Sequence, residues 1–169
     1  METVRAEFHR LSDIAFPALI GAVGTYVIWG GRAQARATYL GEGVLLERFA
    51  KHAGRFDWPF AGFVAITGDW TSGQAKEDAE ILEAILLIIA DHTDRLPTHN
   101  QAPGKISRVH RILRSHPTLR VHITGFDPLM IPEQARPLAS ARVATIKFVG
   151  EGRPYEMDHP WRLRRRLHG

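Results

Sequence analysis

Two polar side chains lie one helical turn apart in the stretch TYLGEGVLLERFAKH, which covers residues 38–52. The apolar residues of this stretch recur at helical spacing, so Arg48 and His52 are expected on the polar edge of a short amphipathic helix. Arginine is planar, permanently charged and able to bind a phosphate with two hydrogen bonds, whereas histidine can carry a proton near neutral pH. The pair therefore suits acid–base chemistry beside a phosphate, although a solvated helix face gives the same pattern.

A glutamate interrupts the longest apolar stretch of the chain, ILEAILLIIA from Ile81. A carboxylate on a mostly buried helix is costly unless it is bound to a partner. Glu83 is therefore a candidate ligand for Mg²⁺ or Mn²⁺, because such an ion can be held by one carboxylate together with water and substrate. Glu80, one turn earlier, is the alternative ligand.

Two tyrosines precede these residues in strand-like segments, Tyr26 in GTYVIWG and Tyr39 in ARATYLGEG. A phenol has an ordinary pKa near 10, so it is a poor base at neutral pH unless a nearby cation or metal lowers that pKa. Either tyrosine could instead orient a water molecule. Half-buried tyrosines in strands also serve packing alone, and the sequence leaves that alternative open.

Short strands and helices alternate along the chain. The expected strands are rich in β-branched and aromatic residues and bounded by glycine or proline: GTYVIWG and ARATYLGEG as a hairpin, then AGFVAITG, LRVHITGF and ATIKFVG. The expected helices show apolar residues at helical spacing: residues 3–15, the helix within residues 38–52 that carries Arg48 and His52, residues 74–91, ISRVHRILRS, and a helical stretch from Pro132.

In order along the chain, the polar residues fall into short motifs. These are Gly24-Thr25-Tyr26 in the first strand of the hairpin, Tyr39-Leu40-Gly41 in the second, the pair Arg48 and His52, then Glu83, and finally Pro97-Thr98-His99-Asn100. This arrangement resembles the GIY-YIG nuclease family over about residues 20–101. Thr25 and Leu40 stand where the motifs of that family have isoleucine.

The resemblance implies an α+β fold with a small antiparallel three-stranded sheet flanked by helices, to which this chain would add an N-terminal helix and a basic α/β C-terminal extension. It implies catalytic roles for Tyr26, Tyr39, Arg48, His52 and Glu83, a metal-binding role for Glu83, and supporting roles for Gly24, Gly41 and Asn100. A length of 169 residues fits a single domain. Within it, residues 20–101 would form the catalytic core and residues 102–169 the extension.

The positive charge is concentrated in the second part of the chain. The formal net charge of +4 divides into −4 for residues 1–100 and +8 for residues 101–169. The densest basic cluster is HPWRLRRRLHG at the end, where Arg162, Arg164, Arg165 and Arg166 stand beside Trp161. Such a mixture suits phosphate pairing and base stacking, so these arginines are candidate nucleic-acid contacts, with a solvated tail as the alternative.

Composition indicates a soluble protein. The chain has no cysteine, which excludes disulfides and thiolate metal sites and is compatible with a reducing cytoplasm. The first residues, METVRAEFHRLSD, are charged throughout and lack the apolar run of a secretion signal, and the longest apolar stretch is about half a membrane span. We expect a cytoplasmic protein without membrane association.

These observations together predict a metal-dependent nuclease that hydrolyses phosphodiester bonds, in DNA rather than RNA, with Mg²⁺ or Mn²⁺ as the cofactor. Two alternatives share the same sequence support. The domain could bind nucleic acid without cutting it, because a basic surface suffices for binding. It could also be a protein-interaction module whose basic end meets an acidic partner.

Overall fold

The structure is a computed structural model that describes residues 2–30, 35–56, 60–100, 110–150 and 155–158. Within these ranges seven strands are present: β1 (Glu2–Arg10), β2 (Ala22–Trp29), β3 (Tyr39–Val44), β4 (Ala61–Asp69), β5 (Thr118–Gly125), β6 (Arg142–Phe148) and β7 (Tyr155–Asp158). The helices are α1 (Phe16–Leu19), α2 (Leu45–Ala53), α3 (Gly73–His92) and α4, of which residues 110–115 are described. Single 3-10 turns cover Leu11–Asp13 and Pro132–Gln134.

All seven strands join one mixed sheet in the order β3-β2-β4-β1-β5-β6-β7. Neighbouring strands are antiparallel except β1 and β5, which run parallel. The molecule is α+β, but the expectation of a small three-stranded sheet is wrong. The hairpin strands β2 and β3 and their neighbour β4 form only one end of the sheet, and four more strands extend it beyond β4.

The N-terminal segment corrects a second expectation, because residues 2–10 form a strand and not the predicted helix over residues 3–15. Val4, Ala6 and Phe8 are buried and the residues between them are exposed, which is the two-residue alternation of a strand that has one face on the core. The strand pairs with β5 over seven residues, from Glu2 opposite Leu119 to Phe8 opposite Gly125. The predicted helical stretch from Pro132 is likewise reduced to one 3-10 turn.

Helix α3 forms the centre of the main core. A serine side chain caps its start, where Ser72 accepts a hydrogen bond of 3.1 Å from the backbone N–H of Ala75. The helix is buried along most of its length and packs on β1, β2, β3 and β4. The core that it shares with other strands includes Val4, Phe8, Val27, Leu40, Phe63, Val121 and Ile123. No helix in the described part of the chain is long and apolar enough to cross a membrane.

A second, smaller core lies on the other face of the sheet. Successive strand residues point to opposite faces, and in β2 Thr25 faces α3, where its hydroxyl donates a hydrogen bond of 2.9 Å to the carbonyl of Ala79. Tyr26 and Ile28 face the opposite way and pack with Leu45 and Phe49 of α2. The face of the sheet that carries α2 therefore holds Tyr26, the tyrosine of the first motif.

Candidate functional site

A buried hydrogen bond joins the first tyrosine motif to α2. Tyr26 lies on β2 between Gly41 of β3 and Val64 of β4, and only 1% of its surface is exposed. Its hydroxyl oxygen lies 2.7 Å from Nε2 of His52, which is itself buried. Arg48 and His52 leave the same helix one turn apart, so this bond fixes the position of the predicted arginine–histidine pair relative to the sheet.

Tyr39, the first residue of β3, completes an aromatic cluster around the imidazole. Its ring centroid is 4.6 Å from that of His52 and 6.2 Å from that of Tyr26, with the two phenol rings nearly parallel. Phe56 stacks on the imidazole at 5.5 Å. Both tyrosines contact His52, but Tyr39 is only partly buried whereas Tyr26 is almost fully buried.

Glycines on β3 provide the space for these side chains. A Cβ atom on Gly41 would lie 2.6 Å from the Tyr26 hydroxyl oxygen and 2.6 Å from the Tyr39 ring. Gly43 has a φ of +135°, and a Cβ there would lie 2.7 Å from Nε of Arg48. Tyr39, Gly41 and Gly43 are alternate residues of one strand, so a single face of β3 supports both phenols and the arginine side chain.

The predicted supporting residue Gly24 has a different role from Gly41. A Cβ on Gly24 would lie 2.1 Å from the carbonyl oxygen of Ala65, at the point where the register of β2 against β4 shifts. Gly24 therefore permits the close approach of two strands, and its hydrogen atom points at backbone and away from the tyrosines.

The electrostatic environment of Tyr26 connects the remaining candidates. Burial raises the pKa of its phenol far above the ordinary value of about 10, and Tyr39 raises it further. The guanidinium of Arg48 lowers this pKa, whereas the carboxylates of Glu83 and Glu42 raise it. The charges of Arg48 and Glu83 thus both act on the phenol that His52 contacts. The raised pKa favours the protonated phenol at neutral pH.

The two candidate metal ligands on α3 face different surroundings. Glu83 is 5% exposed and acts electrostatically on Tyr26. Glu80 lies 3.6 Å from the guanidinium of Arg111, beside α4. Of the two, Glu83 is the one whose charge acts on Tyr26.

Two carboxylates whose charges act on Tyr26 are of the ligand type that a hard divalent cation takes. Glu83 supplies a buried carboxylate, and Glu42 of β3 supplies a second one that acts on the same phenol. Mg²⁺ accepts carboxylate oxygens and needs few protein ligands. Sequence analysis did not single out Glu42, although its place in YLGEG, two residues after the buried Leu40, puts it on the strand face toward α3.

Asn100 holds the exposed edge of β3 in place. Its side-chain oxygen accepts a hydrogen bond from the backbone N–H of Leu40, and its side-chain nitrogen donates to the Leu40 carbonyl, both at 2.7 Å. The backbone N–H groups of Thr98 and His99 donate to the carbonyls of Ala37 and Thr38. The segment that carries the fourth motif thus covers the start of β3, and Asn100 supports the second tyrosine motif through the backbone.

A groove opens where this cover ends. It has a volume of about 230 Å³ and lies beside Gly43 and Val44 at the end of β3. Charged side chains from three elements line it: Glu42, Glu47, Arg48, Lys51 and Lys76. We call it the basic groove. Lys51 and Lys76 were not among the residues that the sequence singled out. The four C-terminal arginines, Arg162, Arg164, Arg165 and Arg166, lie outside the described residues.

A histidine–carboxylate cluster is present beside the N-terminal part of α3. Potential ligand atoms of Glu2, Glu77 and His116 all lie within 4.8 Å of one another. Nδ1 of His116 contacts the carboxylate of Glu2, and its Nε2 lies 3.4 Å from the carboxylate of Glu77. Each nitrogen faces a different carboxylate, which is the geometry of a bridging ion pair between β1 and α3.

Comparison with models of protein families, with curated proteins and with solved structures found no match for this chain. Membership of the GIY-YIG family therefore stays a prediction from the motifs. The site itself consists of an exposed arginine, a partly buried tyrosine and a buried tyrosine–histidine pair beside the glycines of β3, with a buried carboxylate on α3 whose charge acts on Tyr26.

Proposed function

We propose that this protein is a metal-dependent endonuclease of the GIY-YIG kind, which hydrolyses phosphodiester bonds in DNA rather than RNA. One observation carries the proposal: Tyr26, Tyr39 and His52 are in mutual contact, and the charges of Arg48 and Glu83 act on the same phenol. The seven-stranded sheet differs from the sheet that the resemblance implied. The proposal therefore depends on the chemistry of the cluster and not on the fold.

In this proposal Arg48 binds the scissile phosphate. Its side chain is exposed, and its guanidinium lies over Gly43 at the edge of the sheet. Hydrolysis of a phosphodiester builds negative charge on the non-bridging oxygens, and a planar, bidentate cation stabilises that charge better than a lysine does. The position over a glycine keeps the guanidinium close to the strand that carries Tyr39.

The two tyrosines are assigned different roles. Tyr39 is partly exposed and packs against the imidazole, so its hydroxyl is placed to orient the attacking water, with His52 as the group that takes up the proton. Tyr26 is buried and protonated, and it acts as a positioning residue by fixing Nε2 of His52. A divalent cation, Mg²⁺ or Mn²⁺, would be held by Glu83 with Glu42 nearby, and when bound it would supply positive charge at the reacting phosphate.

The proposal is tested by incubating the protein with supercoiled plasmid and with single- and double-stranded oligonucleotides, in magnesium, manganese or a chelator. We expect cutting that needs the metal and that falls by about a hundredfold or more in Arg48→Ala. Glu83→Gln keeps the shape of the side chain and should lose metal-dependent cutting. Arg111→Ala is the matched control, because Arg111 is an exposed arginine beside α4 that pairs with Glu80. Absence of metal-dependent cutting, or full cutting by Arg48→Ala, would contradict the proposal.

The burial of the site residues favours one alternative function, which is nucleic-acid binding without cleavage. Tyr26 and Glu83 are almost fully buried, so a substrate would meet mainly Arg48 and Tyr39. A domain with this site could bind nucleic acid and leave it intact. Salt-sensitive binding without cleavage in any metal would select this alternative.

We propose nucleic acid as the partner and the cytoplasm as the compartment. The excess of positive charge in residues 101–169 supports the partner, and the cysteine-free sequence is compatible with the compartment.

A further inference from the structure

We propose that Lys51 and Lys76 bind backbone phosphates next to the scissile one, so that the basic groove guides the nucleic-acid strand across the edge of β3 to Arg48. This inference rests on the proposed function and deepens it, because it names the surface that takes the substrate and two residues that neither the motifs nor the tyrosine cluster include.

The groove lies on the accessible edge of the sheet. β3 is the outermost strand, and its first residues are covered by the segment that ends at Asn100, whereas Gly43 and Val44 line the groove. Arg48 and Lys51 are three residues apart on α2 and project from one side of that helix. Lys76 approaches from the first turn of α3. Cations from two helices thus converge on one groove at the end of β3.

The three cations of the groove form no ion pair within the described part of the chain. Among the described residues, no carboxylate oxygen lies within 4 Å of Arg48, Lys51 or Lys76. This holds although Glu47 stands four residues before Lys51, and Glu80 four residues after Lys76, which is the spacing of helical ion pairs. Glu80 instead pairs with Arg111.

Such an arrangement suits a polyanion. With Glu42 and Glu47 included, the side chains that line the groove have a net charge of +1. The two carboxylates thus reduce the charge of the three cations, and a positive excess remains. The lysines are exposed and extend the positive surface beyond Arg48. Lysine binds phosphate as a point charge without reading sequence, so these contacts would position the strand and leave specificity to other groups.

The test measures binding in a chelator, where cleavage cannot occur. The full-length protein is titrated with a fluorescein-labelled DNA duplex over a range of salt concentrations. Loss of one phosphate contact lowers the slope of log K against log salt by about one, so we expect that decrease in Lys51→Ala and in Lys76→Ala. Lys51→Arg and Lys76→Arg should keep the wild-type slope. Lys147→Ala is the matched control, because Lys147 is exposed on β6 in the other part of the sheet.

A second measurement uses the unaltered protein. Lysine acetylation, followed by mass spectrometry, should show severalfold less modification of Lys51 and Lys76 when DNA is bound, and unchanged modification of Lys147. This readout does not depend on the folding of any variant.

The outcomes separate the two proposals. In one outcome the wild type binds DNA, Lys51→Ala and Lys76→Ala are indistinguishable from Lys147→Ala, and the two lysines are not protected from acetylation. That result overturns the proposal that the basic groove binds the strand, and it leaves the nuclease proposal standing. Binding with the expected lysine effects, but no cutting in any metal, supports the groove and overturns the nuclease. No DNA binding by the wild type overturns both.

Discussion

Tyr26 links the stability of the fold to the geometry of the site. Its hydroxyl is buried against His52, and its ring packs between Tyr39 and Phe49. Because burial holds the phenol in its protonated form, the tyrosine can orient the imidazole without taking part in proton transfer. Because the hydroxyl is buried, its hydrogen bond to His52 contributes measurably to the free energy of unfolding.

We predict that Tyr26→Phe lowers the free energy of unfolding by about 1–3 kcal/mol at pH 8, because His52 loses its buried partner. The pKa of Tyr26 is raised in the folded state, so the tyrosine stabilises the fold below its ordinary pKa of about 10, and this contribution is lost as pH rises above that value. The gap between wild type and variant should therefore narrow above pH 10, by up to about 1.4 kcal/mol per pH unit. Urea unfolding at several pH values measures it, and a constant gap would contradict the burial of this phenol.

Gly41→Ala is predicted to damage the site and the fold together. The new methyl group would lie 2.6 Å from both the Tyr26 hydroxyl oxygen and the Tyr39 ring, which must then move. Such overpacking costs about 1–3 kcal/mol. Gly73→Ala is the matched control, because a Cβ there, at the first residue of α3, has no neighbour within 4 Å. Urea unfolding and near-ultraviolet circular dichroism measure both variants; equal stability of the two would show that the phenols have room to move.

The candidate residues could be predicted from the sequence because their signals are local. Gly41 lies two residues beyond Tyr39, and His52 one turn beyond Arg48, so each pair follows from the geometry of a single strand or helix. Lys76 and Glu42 were not singled out. The proximity of Lys76 to Arg48 depends on how α3 packs beside β3, and no local pattern carries that information.

At the scale of elements, the edge of β3 is stabilised by a side chain that replaces a neighbouring strand. Asn100 makes both hydrogen bonds that a strand would offer to Leu40. Asn100 also closes a turn after Pro97, because its backbone N–H donates to the carbonyl of Pro97. Its bonds to Leu40 join positions sixty residues apart and could not be predicted from that turn.

Asn100→Ala is predicted to cost about 2–5 kcal/mol, because it leaves the buried N–H and C=O of Leu40 without partners. Asn100→Asp keeps the acceptor for the N–H and should fall between wild type and alanine. Gln74→Ala removes an exposed amide that bonds only to Asp78 one turn away, and it should change the stability by less than about 0.5 kcal/mol. Urea unfolding compares the three. A small effect of Asn100→Ala would mean that water replaces the side chain at this edge.

The segment that forms β1 was predicted as a helix because its sequence fits both the helical and the strand periodicity. Val4 and Phe8 are four residues apart, which suits one face of a helix, but they also alternate with charged residues around Ala6. The alternation determines the outcome because β5 offers a parallel partner more than a hundred residues away. Pairing at that distance is a property of the whole fold, and it overrides the local preference of the segment.

At the scale of the whole molecule, β1 joins two groups of strands that the sequence treated as a core and an extension. It pairs with β4 at His9 and Arg10 and with β5 along most of its length. The core under α3 contains residues from both groups, such as Leu40 of β3 and Val121 of β5. This continuity predicts that residues on both sides of position 101 unfold together, as one domain.

The last prediction tests that cooperativity through the central strand. Phe8 on β1 is 0% exposed and lies in the core that both groups of strands share. Phe8→Ala should lower the free energy of unfolding by about 3–5 kcal/mol, whereas Phe16→Ala, at a position that is 64% exposed, should change it by less than about 0.5 kcal/mol. Far-ultraviolet circular dichroism reports the sheet and helices. The near-ultraviolet signal reports the packing of aromatic side chains, which include Tyr26 and Trp29 on β2 and Tyr39 on β3. If the two groups form one unit, both signals change at the same urea concentration in every variant, and both midpoints shift together in Phe8→Ala. Separate transitions would show that the tyrosine site belongs to a unit that folds without β5, β6 and β7.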